Sequence, residues 1–204
     1  MLERNPIGIE MSEKPILFSA PMVRAILDGR KSQTRRIMKP QPDAVLDGEP
    51  YWHIGGYRTR IGAKRPFVCP YGQPGDRLWV RETCRAEELP SGLDGVRYLA
   101  DNAFVPIANT SEASDAWLDL AWYGKRASPA SPIKTVPAIH QPSWASRITL
   151  EVVGVRVERL GELSESDALH EGVASKAEFI ELWKKINGKW EPEIWIWVLQ
   201  FLKV

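Results

Sequence analysis

The chain has 204 residues but only two cysteines, Cys69 and Cys84, and three histidines, His53, His140 and His170. Two thiols in a chain of this length do not make a disulfide framework, which points to a reducing, cytoplasmic setting. No apolar run approaches the roughly 18–20 residues that a membrane helix needs, so no membrane partner is expected. The opening MLERNPIGIEMSEKP lacks the apolar stretch of a signal peptide. No Gly-x-Gly-x-x-Gly follows a strand pattern, and neither a Walker-type phosphate loop nor a Gly-x-Ser-x-Gly elbow is present. His53, Cys69, Cys84 and His140 match no zinc-ligand spacing, so neither a metal nor a cofactor is expected. No internal repeat of solenoid or propeller period appears.

What is present is an ordinary globular composition, 44% hydrophobic and 26% charged, with charge of one sign gathered early. Residues 21–81 carry 12 Lys/Arg against 5 Asp/Glu, a balance of +7, whereas residues 82–204 have a balance of −5. An early basic region suits an anionic partner, or is simply a solvated face.

The order of patterns predicts a mixed α+β class. Lys14–Phe18 reads as a strand, and Ser19-Ala-Pro21 as the cap and first turn of a helix that Gly29 ends. Leu78-Trp79-Val80 reads as a strand leaving Gly75-Asp76. Ile148, Leu150 and Val152 share one strand face, while Val155 and Val157 have the opposite parity. That predicts a β-bulge at Gly154. Ser164–Asp167 opens a short helix through Glu171, stopped by Gly172. Ser175–Glu178 is a second capping box, opening a helix that Asn187-Gly188 stops. Ile194–Val204 is apolar on both faces and reads as a central, buried strand. Two Pro- and Gly-rich stretches, about 38–72 and 84–143, read as loop-rich insertions in a single domain, 1–204.

The nine tryptophans divide in two. Trp183, Trp195 and Trp197 fall in periodic segments and read as core. Trp52, Trp117, Trp122 and Trp144 fall in the loop-rich stretches, either stacking on bases or folding back onto an aromatic mini-core.

Gly29-Arg-Lys-Ser-Gln-Thr-Arg-Arg36 is the sharpest feature. It sets four basic groups around two hydroxyls. A lysine held near other cations loses basicity, so Lys31 can take a proton from Thr34. On a regular strand positions 31 and 34 face opposite ways, so cooperation requires the segment to turn or bulge. Glu171 ends a short helix, a position suited to acid–base work or simply a surface carboxylate before a stop glycine.

These pieces resemble the ASCH domain proteins, which share a PUA-like β-barrel. The resemblance is to the longer versions common in tailed phages and prophages. Gly29 through Arg36 is similar to the family's Gly-x-Lys-x-x-x-x-Arg signature, and Gln73-Pro-Gly-Asp-Arg-Leu-Trp-Val80 to its Gly-Asp strand. Ile148–Val157, Leu163–Gly172 and the strand from Trp197 follow in family order. The resemblance implies a small PUA-like β-barrel with flanking helices. At Lys31, Thr34 and Glu171 the chain resembles small bacterial amidohydrolases acting on N4-acetylcytidine, which implies catalytic roles for these three. Arg36, Trp79, Arg81, Glu82, Trp144 and Arg147 are the candidates for substrate binding, and the implied partner is a modified nucleoside or RNA. Other members of the family only bind RNA or cut it, so a non-catalytic nucleic-acid module is the alternative and a ribonuclease a weaker one. In the binding module Lys31, Arg35, Arg36, Arg81 and Arg147 would contact phosphates, and Trp79 or Trp144 would stack on a base.

Overall fold

The computed structural model describes residues 12–42, 44–46, 49–54, 57–60, 69–123 and 135–204. They divide into two compact units, one made of the described residues within 12–14, 29–78 and 150–204, the other of those within 15–28 and 79–149. The α+β class holds. Eleven strands are described: β1 Glu13–Leu17, β2 Gln33–Ile37, β3 Ala44–Leu46, β4 Glu49–Ile54, β5 Tyr57–Arg60, β6 Arg77–Arg81, β7 Cys84–Glu88, β8 Asp94–Tyr98, β9 Phe104–Pro106, β10 Thr149–Arg159 and β11 Trp195–Lys203. The helices are α1 Ala20–Leu27, α2 Ser111–Ala121, α3 Glu165–His170 and α4 Lys176–Asn187. The main sheet runs β1-β6-β10-β11-β2, and two three-stranded antiparallel sheets run β3-β4-β5 and β7-β8-β9.

The expected barrel is not closed. Among the described residues β2 is an edge strand, and just ahead of it the chain meets the end of α3, not another strand. Lys31 bridges Glu171 there, and Ser32 N–H donates to the His170 carbonyl at 2.9 Å. A helix end meeting the lead-in to an open edge satisfies backbone groups there that closure would otherwise satisfy. The insertions also depart from expectation. In the first, β3, β4 and β5 pair in antiparallel order, and the second contains β7, β8, β9 and α2. The side chains of Trp52 and His53 lie outside the described residues.

In the first unit β11 is the central strand of its neighbourhood, pairing with β10 and β2. Its residues 195–199 are all buried. The register between β10 and β11 shifts between Val152 and Gly154, so the bulge lies where the parity switch placed it. Leu160, Leu163, Ala168, Phe179, Trp183, Ile196 and Val198 form the core here, with Trp190 edge-on to Phe179 and Trp183. Burying such aliphatic and aromatic side chains contributes about 1.5–3 kcal/mol each.

In the second unit Cys84, Ala86, Val96, Tyr98, Leu120, Val136 and Ala145 form a core. Trp117 packs against it and donates its indole N–H to the Gly95 carbonyl at 2.8 Å, so this tryptophan belongs to the aromatic mini-core. The Ser19 side chain makes no cap bond at α1; its carbonyl accepts the Val23 N–H instead.

Candidate active site

Two chain reversals build the site in the first unit. After α1, Gly29 adopts φ +73°, which turns the chain into β2. Ser164 and Asp167 form a reciprocal capping box that fixes the start of α3. Gly172, at φ +85°, ends α3 one residue after Glu171. At Ser175 only half of the expected box forms, because Glu178 accepts from the Ala174 N–H and not from Ser175.

The backbone turns at Ser32, as cooperation between positions 31 and 34 requires. In a regular strand the N–H and C=O of one residue face the same neighbour. Ser32 instead sends its N–H to His170 on one side and accepts from the Phe201 N–H with its C=O on the other, both at 2.9 Å.

Lys31 follows this turn inward. Its Nζ donates to Glu171 Oε2 at 2.6 Å, to the Glu171 carbonyl at 3.0 Å and to the Gln33 carbonyl at 2.8 Å. Its side chain is fully shielded and that of Glu171 is 3% exposed. Burial pushes the Lys31 ammonium below its ordinary pKa; Glu171 opposes that shift, and Arg36 and Arg35 reinforce it. The second oxygen of Glu171 accepts from Arg35 NH1 at 3.1 Å.

Arg35 is the hub of a buried charge cluster that sequence reasoning did not assemble. It donates to Gln33 Oε1 at 2.5 Å, to Glu158 Oε1 at 2.7 and 3.1 Å, and lies 3.2 Å from Asp167 Oδ1. Arg156 bridges Glu158 and Asp167 from β10, each at 3.0 Å. Burial opposes ionisation of Asp167, but hydrogen bonds from Ser164 and the charge of Arg35 outweigh it and lower its pKa. The signal in the sequence was slight: Gln33 and Arg35 share parity on β2, while their acidic partners sit on β10 and α3.

Thr34 is buried, at 2% exposure, and pairs with Leu199 in the sheet. Alternation sets its side chain opposite Gln33 and Arg35. Among the described residues no hydrogen bond joins its hydroxyl to Lys31 or Glu171. Arg36 shares its parity, lies over the Tyr71 ring at 5.9 Å, and has its pKa lowered by burial against the pull of Tyr71 and Glu171. Ser32, Gln33, His170, Gln200 and Phe201 line a small cavity of about 190 Å³ beside these residues.

The remaining candidates lie in the second unit. Arg81 stacks on Trp79 at 4.6 Å and donates to the Ile139 carbonyl at 3.1 Å. Glu82, 2% exposed, takes both Arg147 Nε and NH2, at 2.7 and 2.8 Å. Arg147 also makes two 2.9 Å bonds to Asp101 and covers the Tyr98 ring at 4.2 Å. Trp144 is 42% exposed and borders an apolar cavity of about 490 Å³. Among the described residues no group of three or more His, Cys, Asp or Glu is arranged to hold a metal ion, and no helix is long and apolar enough to cross a membrane.

No protein-family model matches the chain, and no curated protein does. Among solved structures it is similar to an ASCH domain from Lactobacillus crispatus, with 10% identity and a TM-score of 0.45 over 94% of this chain and 79% of that one. It is also similar to a DUF984 protein from Enterococcus faecalis, with 12% identity and a TM-score of 0.40 over 96% of this chain and 82% of that one.

Proposed function

We propose that the chain is an amidohydrolase of the ASCH type, acting on N4-acylated cytidine or a related modified nucleoside through Lys31, Thr34 and Glu171. The observation that carries this reading is the Lys31–Glu171 contact, a buried amine and carboxylate at 2.6 Å whose lysine is pushed toward its neutral form. Burial makes the Lys31 ammonium easier to deprotonate, and a lysine that gives up its proton can serve as the general base that a threonine nucleophile needs. In this reading the Thr34 hydroxyl, which makes no hydrogen bond to Lys31 among the described residues, comes within reach of Lys31 Nζ when substrate binds, and attacks the acyl carbonyl as Lys31 takes its proton. That proton crosses the short contact to Glu171, which delivers it to the departing N4 amine. Water then hydrolyses the acyl-threonine, releasing the carboxylic acid and restoring the hydroxyl.

The nucleic-acid-binding alternative needs an open basic strip. Of the cations it would use, Lys31 and Arg35 have fully shielded side chains, and Arg147 is spent on Glu82 and Asp101. This burial favours the hydrolase. The test is an incubation with N4-acetylcytidine, wild type beside Thr34→Ala, following conversion to cytidine. Turnover by the wild type alone supports the assignment. Turnover by neither moves the reading to nucleic-acid binding, to be tested by a salt-dependent RNA titration.

A further inference from the structure

Glu171 is held from two sides. Oε2 meets Lys31 Nζ at 2.6 Å and Oε1 meets Arg35 NH1 at 3.1 Å. Each oxygen of this buried carboxylate therefore has its own cation. Arg35 is itself fixed: Gln33 shares its NH1, Glu158 takes Nε and NH2, Asp167 stands 3.2 Å from NH2, and the guanidinium carbon lies 5.9 Å from the Phe179 ring centre. A planar guanidinium held at this many points has no freedom to follow the carboxylate.

We propose that Arg35 is a positioning residue: by gripping Glu171 Oε1 it commits Oε2 to Lys31 and holds the amine–carboxylate pair in register. The proposal deepens the hydrolase reading and rests on it for its catalytic meaning, although the grip itself does not depend on any reaction. The charges facing the pair come from three elements. Lys31, Arg35 and Arg36 belong to β2 and its lead-in, Glu171 and Asp167 to α3 and its end, and Glu158 and Arg156 to β10. Arg35 and Arg36 both act to keep the Lys31 proton off, so loss of Arg35 lets Lys31 hold its proton to higher pH.

The test follows the 13Cε resonance of Lys31 through a pH titration in the wild type, Arg35→Met and Arg35→Lys, beside kcat and KM for N4-acetylcytidine. In Arg35→Met the Lys31 midpoint is expected to rise. Its kcat is expected to fall about 100-fold with KM little changed, because misplacement of a reacting group acts on the chemical step. Arg35→Lys restores the charge and should recover the midpoint, with partial recovery of kcat. Loss of the Arg35 charge alone raises the midpoint, so the grip is read from Arg35→Lys: a merely structural or merely electrostatic arginine would let this variant, which keeps the charge but not the fork, recover kcat in full.

Removing one partner of a buried ion pair is costly, so Arg35→Met can fail to fold. The double variant Arg35→Met/Glu158→Gln removes one charge of each sign and is read in the same way. An unmoved Lys31 midpoint in either folded variant overturns the proposal. A moved midpoint in a protein whose wild type leaves N4-acetylcytidine intact keeps the charge coupling of Arg35 to the pair and removes the hydrolase reading.

Discussion

Glu171 and Lys31 are 140 positions apart, yet they form both an antiparallel backbone bridge and a 2.6 Å side-chain contact. The bridge fixes the two main chains, so the side chains meet without a long search through rotamers. Two buried opposite charges offset each other, but neither tolerates loss of its partner. Glu171→Gln is accordingly expected to destabilise the protein by about 3–5 kcal/mol in urea unfolding. The apolar double variant Lys31→Met/Glu171→Leu should cost much less. Equal losses in the single and double variants would remove the ion pair from the account of stability.

The same pair makes stability depend on pH through Lys31. Burial lowers its pKa below the ordinary lysine value of 10.5. Between that lowered value and 10.5 the unfolded chain carries a proton that the folded chain lacks. Stability then rises with pH across this window, because the unfolded state binds more protons there. The urea midpoint of the wild type, referred to Lys31→Met at each pH, should climb through the alkaline range. A pH-independent difference would refute the lowered lysine.

Lys31→Arg separates the charge from the base. Arginine keeps the ion pair but does not give up its proton at neutral pH. The variant should fold, as judged by its near-ultraviolet circular dichroism, and should not hydrolyse N4-acetylcytidine. Undiminished turnover would take the general-base role away from Lys31.

Much of this site was legible because its punctuation is local. Gly172 and Ser164 bracket α3 within nine residues, and the spacing of Lys31 and Thr34 is read directly. The bulge at Gly154 followed from side-chain parity alone. What stayed hidden depends on pairing between distant segments. Nothing near Arg35 announces Glu158 or Asp167, and nothing near Arg147 announces Glu82. The open sheet was hidden for the same reason, since the lead-in to its edge strand meets the end of a helix from a distant part of the chain. The turn at Ser32 was required by the chemistry but is produced by hydrogen bonds to His170 and Phe201, which the local sequence does not encode.

Both cysteines should behave as core residues. Cys84 is fully buried, and burial, with Glu82 nearby, pushes its thiol up to about 12; burial also raises Cys69. Thiolate is the reactive form, so neither should react with a disulfide reagent at neutral pH in the native state. Both should react after denaturation. Fast reaction of a native thiol would contradict the packing around it.

Two strand glycines differ in what a methyl group would meet. At Gly154 an added Cβ comes within 2.7 Å of Gln200 Oε1, the far end of a flexible side chain that can swing aside. At Gly95, on β8, the Cβ would collide with the Phe104 ring and come within 2.6 Å of the Val105 carbonyl oxygen, which is backbone of the paired strand β9. Backbone in a ladder cannot retreat without breaking its hydrogen bonds. Trp117 also donates to the Gly95 carbonyl, so any shift of β8 disturbs the second unit's core. Gly95→Ala is therefore expected to cost about 1–3 kcal/mol, as overpacking does, and Gly154→Ala about 0.5 kcal/mol or less, as for a substitution with room to relax. Thermal unfolding of the two variants decides the matter. If Gly154→Ala proves the more damaging, the bulge and not the β8–β9 contact is the tighter constraint.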